Sequence, residues 1–345
     1  MDIDIINDIR NDFKNITFSN FQKSKTKNEL LNCIYNNKIE NANYWTAELI
    51  CSGHFLDIWD VIILYTTKFI HSGNPKLAIY LKMRYENFIN ILENGYQSNI
   101  ILLRNNTKIR KLFSEIICVL CFSNKKHNFQ QIKLNKNEDF NLINISSKFK
   151  APNTKFADTI FKQDDPTDLF IPINEMIYSL SIKNIIDICF WYEWIIEYET
   201  KCKKDKKKCE AETRIYAPKH FQKDIIWIIW DILFNYAENI KDKPIISKII
   251  NSLFQLFIIK YKPTYKIKRK YILYFAFSLF TENIDFNINI IQNIDKIHAI
   301  TEKINNIYKE IKKNEITPKT DYLFKDIKKS NIEKSIEKLT IFNSL

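Results

Sequence analysis

Tyr44-Trp45-Thr46-Ala47-Glu48-Leu49-Ile50-Cys51-Ser52-Gly53-His54-Phe55 opens the stretch whose punctuation sets the fold. A dense apolar run follows from Trp59 to Ile70, then His71-Ser72-Gly73-Asn74-Pro75, then a third periodic run that reaches Leu92. The chain has only three glycines, Gly53, Gly73 and Gly95, and all lie where one helical pattern stops. Gly53 supplies the left-handed conformation that ends a first helix over residues 42–51. The second helix, residues 55–70, is apolar nearly all round and is therefore expected to be buried. Gly73 and then Pro75 close it. In the third, Leu77, Tyr80, Leu81, Arg84, Tyr85, Phe88, Ile91 and Leu92 repeat at helical spacing. A fourth is expected at residues 108–122. Consecutive helices joined by tight breaks pack as antiparallel neighbours, so the reading is an all-α multi-helix bundle.

Working outward, residues 1–40 hold short amphipathic pieces and read as an N-terminal arm or cap. Residues 41–123 form the N-terminal helical subdomain. From 124 to 152 the periodicity fades into Lys, Asn and Ser, a linker or long loop, and residues 153–345 form a larger C-terminal helical subdomain. Within it, Asp164-Asp165-Pro166-Thr167-Asp168 has the acids and proline of a helix N-terminus. Helices are expected at 185–199, 224–234, 245–259 and 271–280, with one long helix at 287–314 carrying Ile290, Ile294, Ile297, Ile304, Ile307 and Ile311 on one side. Ser330-Asn331-Ile332-Glu333 reads as a capping box before a last short helix. No alternating strand pattern stands out.

Hydrophobic residues make up 46% of the 345 and aromatics 14%, enough for a packed core rather than a disordered chain. Usage is skewed to Asn, Ile and Lys, whose codons are AT-rich, so part of the lysine content reflects codon bias. Formal charge is +12 and uneven: residues 101–150 carry ten Lys/Arg against three acids, residues 151–200 three against nine. Such an excess favours anionic partners, either nucleic acid or an acidic membrane surface, and a solvated basic face is the plain alternative.

Four of the seven cysteines, Cys51, Cys118, Cys121 and Cys189, sit in apolar runs and read as core residues. Met1 to Asp12 lacks the pattern of a secretory signal, and no run reaches the ~18 apolar residues of a membrane span. The expectation is free thiols in a reducing compartment.

The sharpest candidate site is residues 260–270, with Lys260, Lys262, Lys266, Lys268, Arg269 and Lys270, two tyrosines and no acid, directly before an apolar helix. Basic residues at a helix N-terminus oppose the macrodipole, so the cluster calls for an anionic partner. Lipid headgroups fit, and so does a phosphate backbone with bases stacked on tyrosine. A second cluster, Lys201, Lys203, Lys204, Lys206, Lys207 and Lys208, is bracketed by Cys202 and Cys209. That pair reads as incidental loop thiols, with a reversible disulfide or two metal ligands beside His220 as alternatives; no fourth ligand can be named, so no metal or cofactor is expected. The tryptophans Trp45, Trp59, Trp191, Trp194, Trp227 and Trp230 read as packing residues, the last four as two Trp-x-x-Trp plates on one helix face each.

Catalytic signatures are missing: three scattered glycines make no phosphate loop, and neither His-Glu-x-x-His nor a nucleophile elbow occurs. Glu193, Glu197 and Lys201 read as a surface charge ladder. His54 and His71 read as capping or packing histidines. Glu48, set among Trp45, Leu49 and Ile50, needs a partner if buried, and Arg84 or His54 are the candidates.

Trp45 to Phe55 with Gly73-Asn74-Pro75-Lys76-Leu77 resembles a conserved protein family of giant algal and amoebal DNA viruses. Asp164-Asp165-Pro166 with Leu169-Phe170-Ile171, Asp224-Ile225-Ile226-Trp227-Ile228-Ile229-Trp230-Asp231, and Thr317-Pro318-Lys319-Thr320-Asp321-Tyr322-Leu323-Phe324 are similar to later parts of the same family. A more remote likeness runs to the poxvirus viral membrane assembly proteins. The resemblance implies a helical, non-enzymatic factor of virion membrane biogenesis in the cytoplasmic virus factory, touching membranes peripherally and working with other viral assembly proteins. No functional residue of the poxvirus proteins maps onto this chain. The alternative is a basic helical accessory factor that binds nucleic acid.

Overall fold

The computed structural model describes residues 4–130, 132–135, 138–240 and 244–316. The motif at residues 317–324 and the capping box at residues 330–333 lie outside them. Among the described residues there are fourteen α-helices and no β-sheet, only one isolated bridge between Ile16 and Gln22.

The first group is α1 (Lys23–Tyr35), α2 (Ile39–Cys51), α3 (Phe55–Tyr65), α4 (Leu77–Glu93) and α5 (Thr107–Phe122). Gly53 ends α2 at φ 74°, with the Gly53 and His54 amides donating to the carbonyls of Ile50 and Leu49, the left-handed stop its position predicts. After α3 the helix widens into one π turn, Thr66–Ile70, then tightens into a 3-10 turn, His71–Gly73. A Cβ on Gly73 would collide with the carbonyl oxygen of Asn124, so the glycine is there for a close backbone approach. Trp59, with no exposed surface, packs its ring against Tyr85, Phe88 and Phe113.

The described residues within 124–152, expected as a linker or long loop, hold only α6 (Leu142–Ser146), yet they are packed down. Phe129 and Ile145 are buried, Phe140 stacks on Trp194, and the Asp139 carbonyl accepts from the Trp194 indole at 2.7 Å. The second group is α7 (Phe170–Ser181), α8 (Ile185–Lys204), α9 (Ile226–Asn239), α10 (Pro244–Phe257), the short α11 (Tyr265–Lys268), α12 (Lys270–Thr281), α13 (Ile294–Glu302) and α14 (Asn305–Lys312). Both Trp-x-x-Trp plates are core: Trp191, Trp194, Trp227 and Trp230 are all buried, the last two among Phe254 and Phe257. Trp45 is half-buried against Phe21 and Tyr44.

The expected halves share one core. Its buried apolar side chains run from Ile6 to Ile311, α10 packs on α4, α12 on α3, α13 on α5 and α14 on α2. The N-terminal arm is part of it: Ile6, Phe13 and Phe18 are buried, and the buried Arg110 holds Asp4 at 2.8 Å. Among the described residues no helix is long and apolar enough to cross a membrane.

Three local expectations change. The long helix at 287–314 is two short ones, preceded by Asn293 at φ 56°. The Asn-rich lead-in has weak helix propensity, and the Ile290 carbonyl accepts from Asn74 at 2.8 Å instead of from its own helix. Glu48, fully buried, is held by the Ser19 hydroxyl and amide at 2.5 and 3.1 Å and by the Tyr44 hydroxyl at 3.3 Å, not by Arg84 or His54. Arg84 pairs with Glu115, and the His54 ring meets the Ile16 carbonyl at 2.8 Å. Asp165 does not cap a helix; a 3-10 turn, Thr167–Leu169, leads into α7 without a side-chain cap, and the carboxylate is used elsewhere.

His71 is fully buried at a φ of 29°, its ring nitrogens 2.7 Å from the His127 carbonyl and 3.1 Å from the Ser72 hydroxyl. Burial pushes it down to about 4, against the His127 carbonyl, and burial lowers His54 as well. Both histidines are thus neutral in the fold while the unfolded chain takes up protons near pH 6.5. Their contribution is fully present above that value and is lost as pH falls through the folded-state values. For the fully buried His71 the loss is about 1.4 kcal/mol per pH unit, or about 3 kcal/mol between pH 6.5 and 4, and the half-exposed His54 adds a smaller, solvent-screened loss of the same sign. Urea midpoints across this range should fall accordingly, and His71→Asn should flatten the slope.

Candidate functional site

The six cations of residues 260–270 divide into two sets. Lys266 is 2% exposed, and its ammonium lies 2.6 Å from both Glu199 and Asp224. Arg269 is buried and donates to the Phe257 and Ile259 carbonyls at 2.7 Å each, with Asp60 at 3.0 Å. Lys270 meets Glu193 at 2.7 Å, and the Tyr274 hydroxyl meets the same carboxylate at 2.6 Å. These three are therefore corrected as ligand-facing residues, because their charges are already engaged inside the molecule. The macrodipole argument fails for a physical reason: Arg269 faces the open carbonyls at the C-terminus of α10, where a cation is favourable. Glu193 correspondingly belongs to the α8–α12 contact rather than to a surface ladder.

Lys260, Lys262 and Lys268 remain exposed. The tyrosines beside them are occupied: Tyr261 is buried with its hydroxyl on Asp224 at 3.0 Å, and the Arg269 guanidinium lies 4.3 Å over the Tyr265 ring. Tyr261 thus offers no free face for a base, and one face of the half-buried Tyr265 is taken.

The second cluster keeps its side chains in solvent. Lys201, Lys203, Lys204, Lys206, Lys207 and Lys208 are all exposed at the C-terminal end of α8 and just past it. The helix stops because Asp205 and Lys206 turn the chain, Lys206 at φ 56° with the Lys207 amide closing back on the Cys202 carbonyl at 2.8 Å. Lysines at a helix C-terminus are well placed against the dipole. Cys202 is buried and Cys209 half-buried, and both are free thiols. Burial, with Cys202 alongside, pushes the Cys209 thiol up to about 12, so it is a protonated rather than a nucleophilic sulfur. Among the described residues no three His, Cys, Asp or Glu side chains gather as metal ligands, so Cys202, Cys209 and His220 do not form a metal site.

Lys266 joins the two basic stretches, because Glu199 stands on α8 and Asp224 just before α9. The loop between these helices closes the arrangement. Ala211 and Arg214 donate to the Lys223 and Gln222 carbonyls at 2.8 and 3.0 Å, so residues 215–221 form a tip. Arg214 fixes the base of this loop. It is 1% exposed, its two terminal nitrogens lie 2.5 and 2.7 Å from the Asp165 oxygens, and its Nε lies 2.8 Å from Asp231. Burial works against the charge, but the hydrogen bonds Arg214 donates to Asp165 and Asp231, with the charges of those acids, outweigh it and raise the guanidinium further. A bidentate fork of this kind sets orientation as well as energy.

The result is a cleft of about 470 Å³, with Lys203, Cys209, Lys219, His220, Lys223 and Pro263 among its walls. Ile215 stands on the same loop and is 87% exposed, and Ile267 on α11 is 57% exposed. Ile215, Lys219 and Lys223 were not singled out from the sequence. The signal was there in a lone isoleucine within a polar, non-periodic loop, but nothing local showed that this loop would face the lysines of α8. Compared with known protein families, with curated proteins and with solved structures, the chain finds no match.

Proposed function

We propose that the protein is a non-enzymatic factor that docks peripherally on anionic membranes through the basic end formed by the C-terminus of α8 and the loop at residues 205–223, and that it serves in building virion membranes. The observation that carries this reading is Ile215, an aliphatic side chain left almost wholly in solvent on a loop whose Thr213, Lys219 and Lys223 line one cleft with Lys203 of the α8 lysines. An exposed isoleucine on a loop that also carries cations suits the boundary of headgroups and acyl chains, and juxtamembrane lysines contribute about 1 kcal/mol each near an anionic surface. The engaged tyrosines at positions 261 and 265 weigh against bases stacked on this face. The viral setting rests on the sequence resemblance.

Ile215→Asp removes the insertion without touching the buried Arg214. Transferring an isoleucine out of water is worth about 2 kcal/mol, so partition onto phosphatidylserine vesicles should fall by at least about tenfold while the urea midpoint stays put. Unchanged flotation would remove Ile215 from the membrane contact.

A further inference from the structure

We propose that the cleft walled by the loop that carries Ile215 is a phosphate-monoester site, so that docking selects lipids whose headgroup ends in a monoester over diester lipids of equal charge; this rests on the membrane reading above. The acids around the cleft are already matched with cations. Glu199 and Asp224 share Lys266 at 2.6 Å each, Lys203 takes the other Glu199 oxygen at 2.8 Å, and Glu210 faces Lys208 at 3.2 Å. Lys219, His220 and Lys223 make no ion pair with any described residue, and all three are exposed along the same wall. The Thr213 hydroxyl adds a neutral donor on that wall.

The lysines are carried on a fixed backbone. The 211–223 pairing and the buried Arg214 fork hold their main chain before any ligand arrives, which reduces the ordering cost of binding. A monoester near neutral pH carries close to two charges and three acceptor oxygens, whereas a diester carries one charge and two free oxygens. In the field of two ammonium groups lining one cleft the Coulomb attraction scales with ligand charge, and lysine binds phosphate as a point charge. The cleft volume, about 470 Å³, is in the range of small-ligand sites, and the exposed Ile215, two residues from the cleft-lining Thr213, would engage the acyl chains.

The test uses the full chain with two vesicle sets of matched surface charge, one carrying phosphatidic acid and one phosphatidylserine. Calorimetry with glycerol 3-phosphate tells a lipid-borne from a soluble monoester. The site predicts about tenfold tighter binding to phosphatidic acid than to phosphatidylserine, and a Lys219→Ala, Lys223→Ala double variant that keeps its urea midpoint should bring that ratio to about one, whatever the general loss of charge takes from binding to both lipids. Heat of binding from glycerol 3-phosphate, absent in the variant, would support the cleft and show that it takes the soluble monoester too. Equal binding to both lipids, unchanged in the variant, would overturn the cleft and leave the membrane reading standing. Flotation on neither set, with no heat from glycerol 3-phosphate, would overturn both.

Discussion

Arg214→Met should lower the unfolding free energy by about 3–5 kcal/mol, the usual cost of stranding a buried carboxylate by removing its partner. Asp165 has no exposed side-chain surface and Asp231 little, and both face Arg214 within 2.8 Å. Methionine fills much of the volume but leaves the two acids with one fewer cation, and the Asp165 carboxylate keeps only the Lys162 and Glu212 amides, at 2.9 Å each. A double variant, Arg214→Met with Asp165→Leu, removes both sides of the pair and should recover part of the loss. Urea midpoints of the two variants provide the check. If the single variant unfolds with the wild type, the fork does not hold the loop.

Lys266→Met should be nearly as damaging, by about 3 kcal/mol or more, because one ammonium serves both Glu199 and Asp224 and its removal leaves them facing each other across a buried contact. Lys268→Met, two residues along the chain and exposed, should change stability by less than about 0.5 kcal/mol. The contrast separates two residues that look alike in the sequence. It also means that charge reversal across Lys266, Lys268, Arg269 and Lys270 together would unfold the protein rather than report on binding.

The helices were legible because the chain uses glycine so sparingly. Gly53 and Gly73 mark real stops, and the apolar run after Phe55 is buried as its all-round hydrophobicity implies. Both tryptophan plates are core for the same reason. Where reading by period failed, long-range partners decided. Asp165 has the local pattern of a cap but meets an arginine 49 residues away. Glu48 finds Ser19, 29 residues upstream, rather than Arg84 or His54. The run at 287–314 has helical spacing, but its asparagines and the pull of Asn74 on the Ile290 carbonyl break it.

The candidate site was half legible. Both lysine clusters stood out as composition, and composition cannot distinguish an ammonium in solvent from one between two carboxylates. The acids that claim Lys266 and Lys270 lie on α8 and before α9, far off in sequence. The 205–223 loop carries no period at all, so Ile215 and the wall of Lys219 and Lys223 became visible only once Arg214 had fixed where the loop sits.

The most direct test of the account is flotation of the purified protein with anionic and neutral vesicles at moderate salt, with duplex DNA as competitor, beside a Lys204→Glu, Lys206→Glu, Lys207→Glu variant. These three lysines are exposed and make no ion pair among the described residues, so the variant keeps its fold. The account predicts that the wild type floats only with anionic vesicles, that DNA does not displace it, and that the variant stays at the bottom of the gradient. Release by DNA with no flotation would contradict it and assign the basic end to nucleic acid.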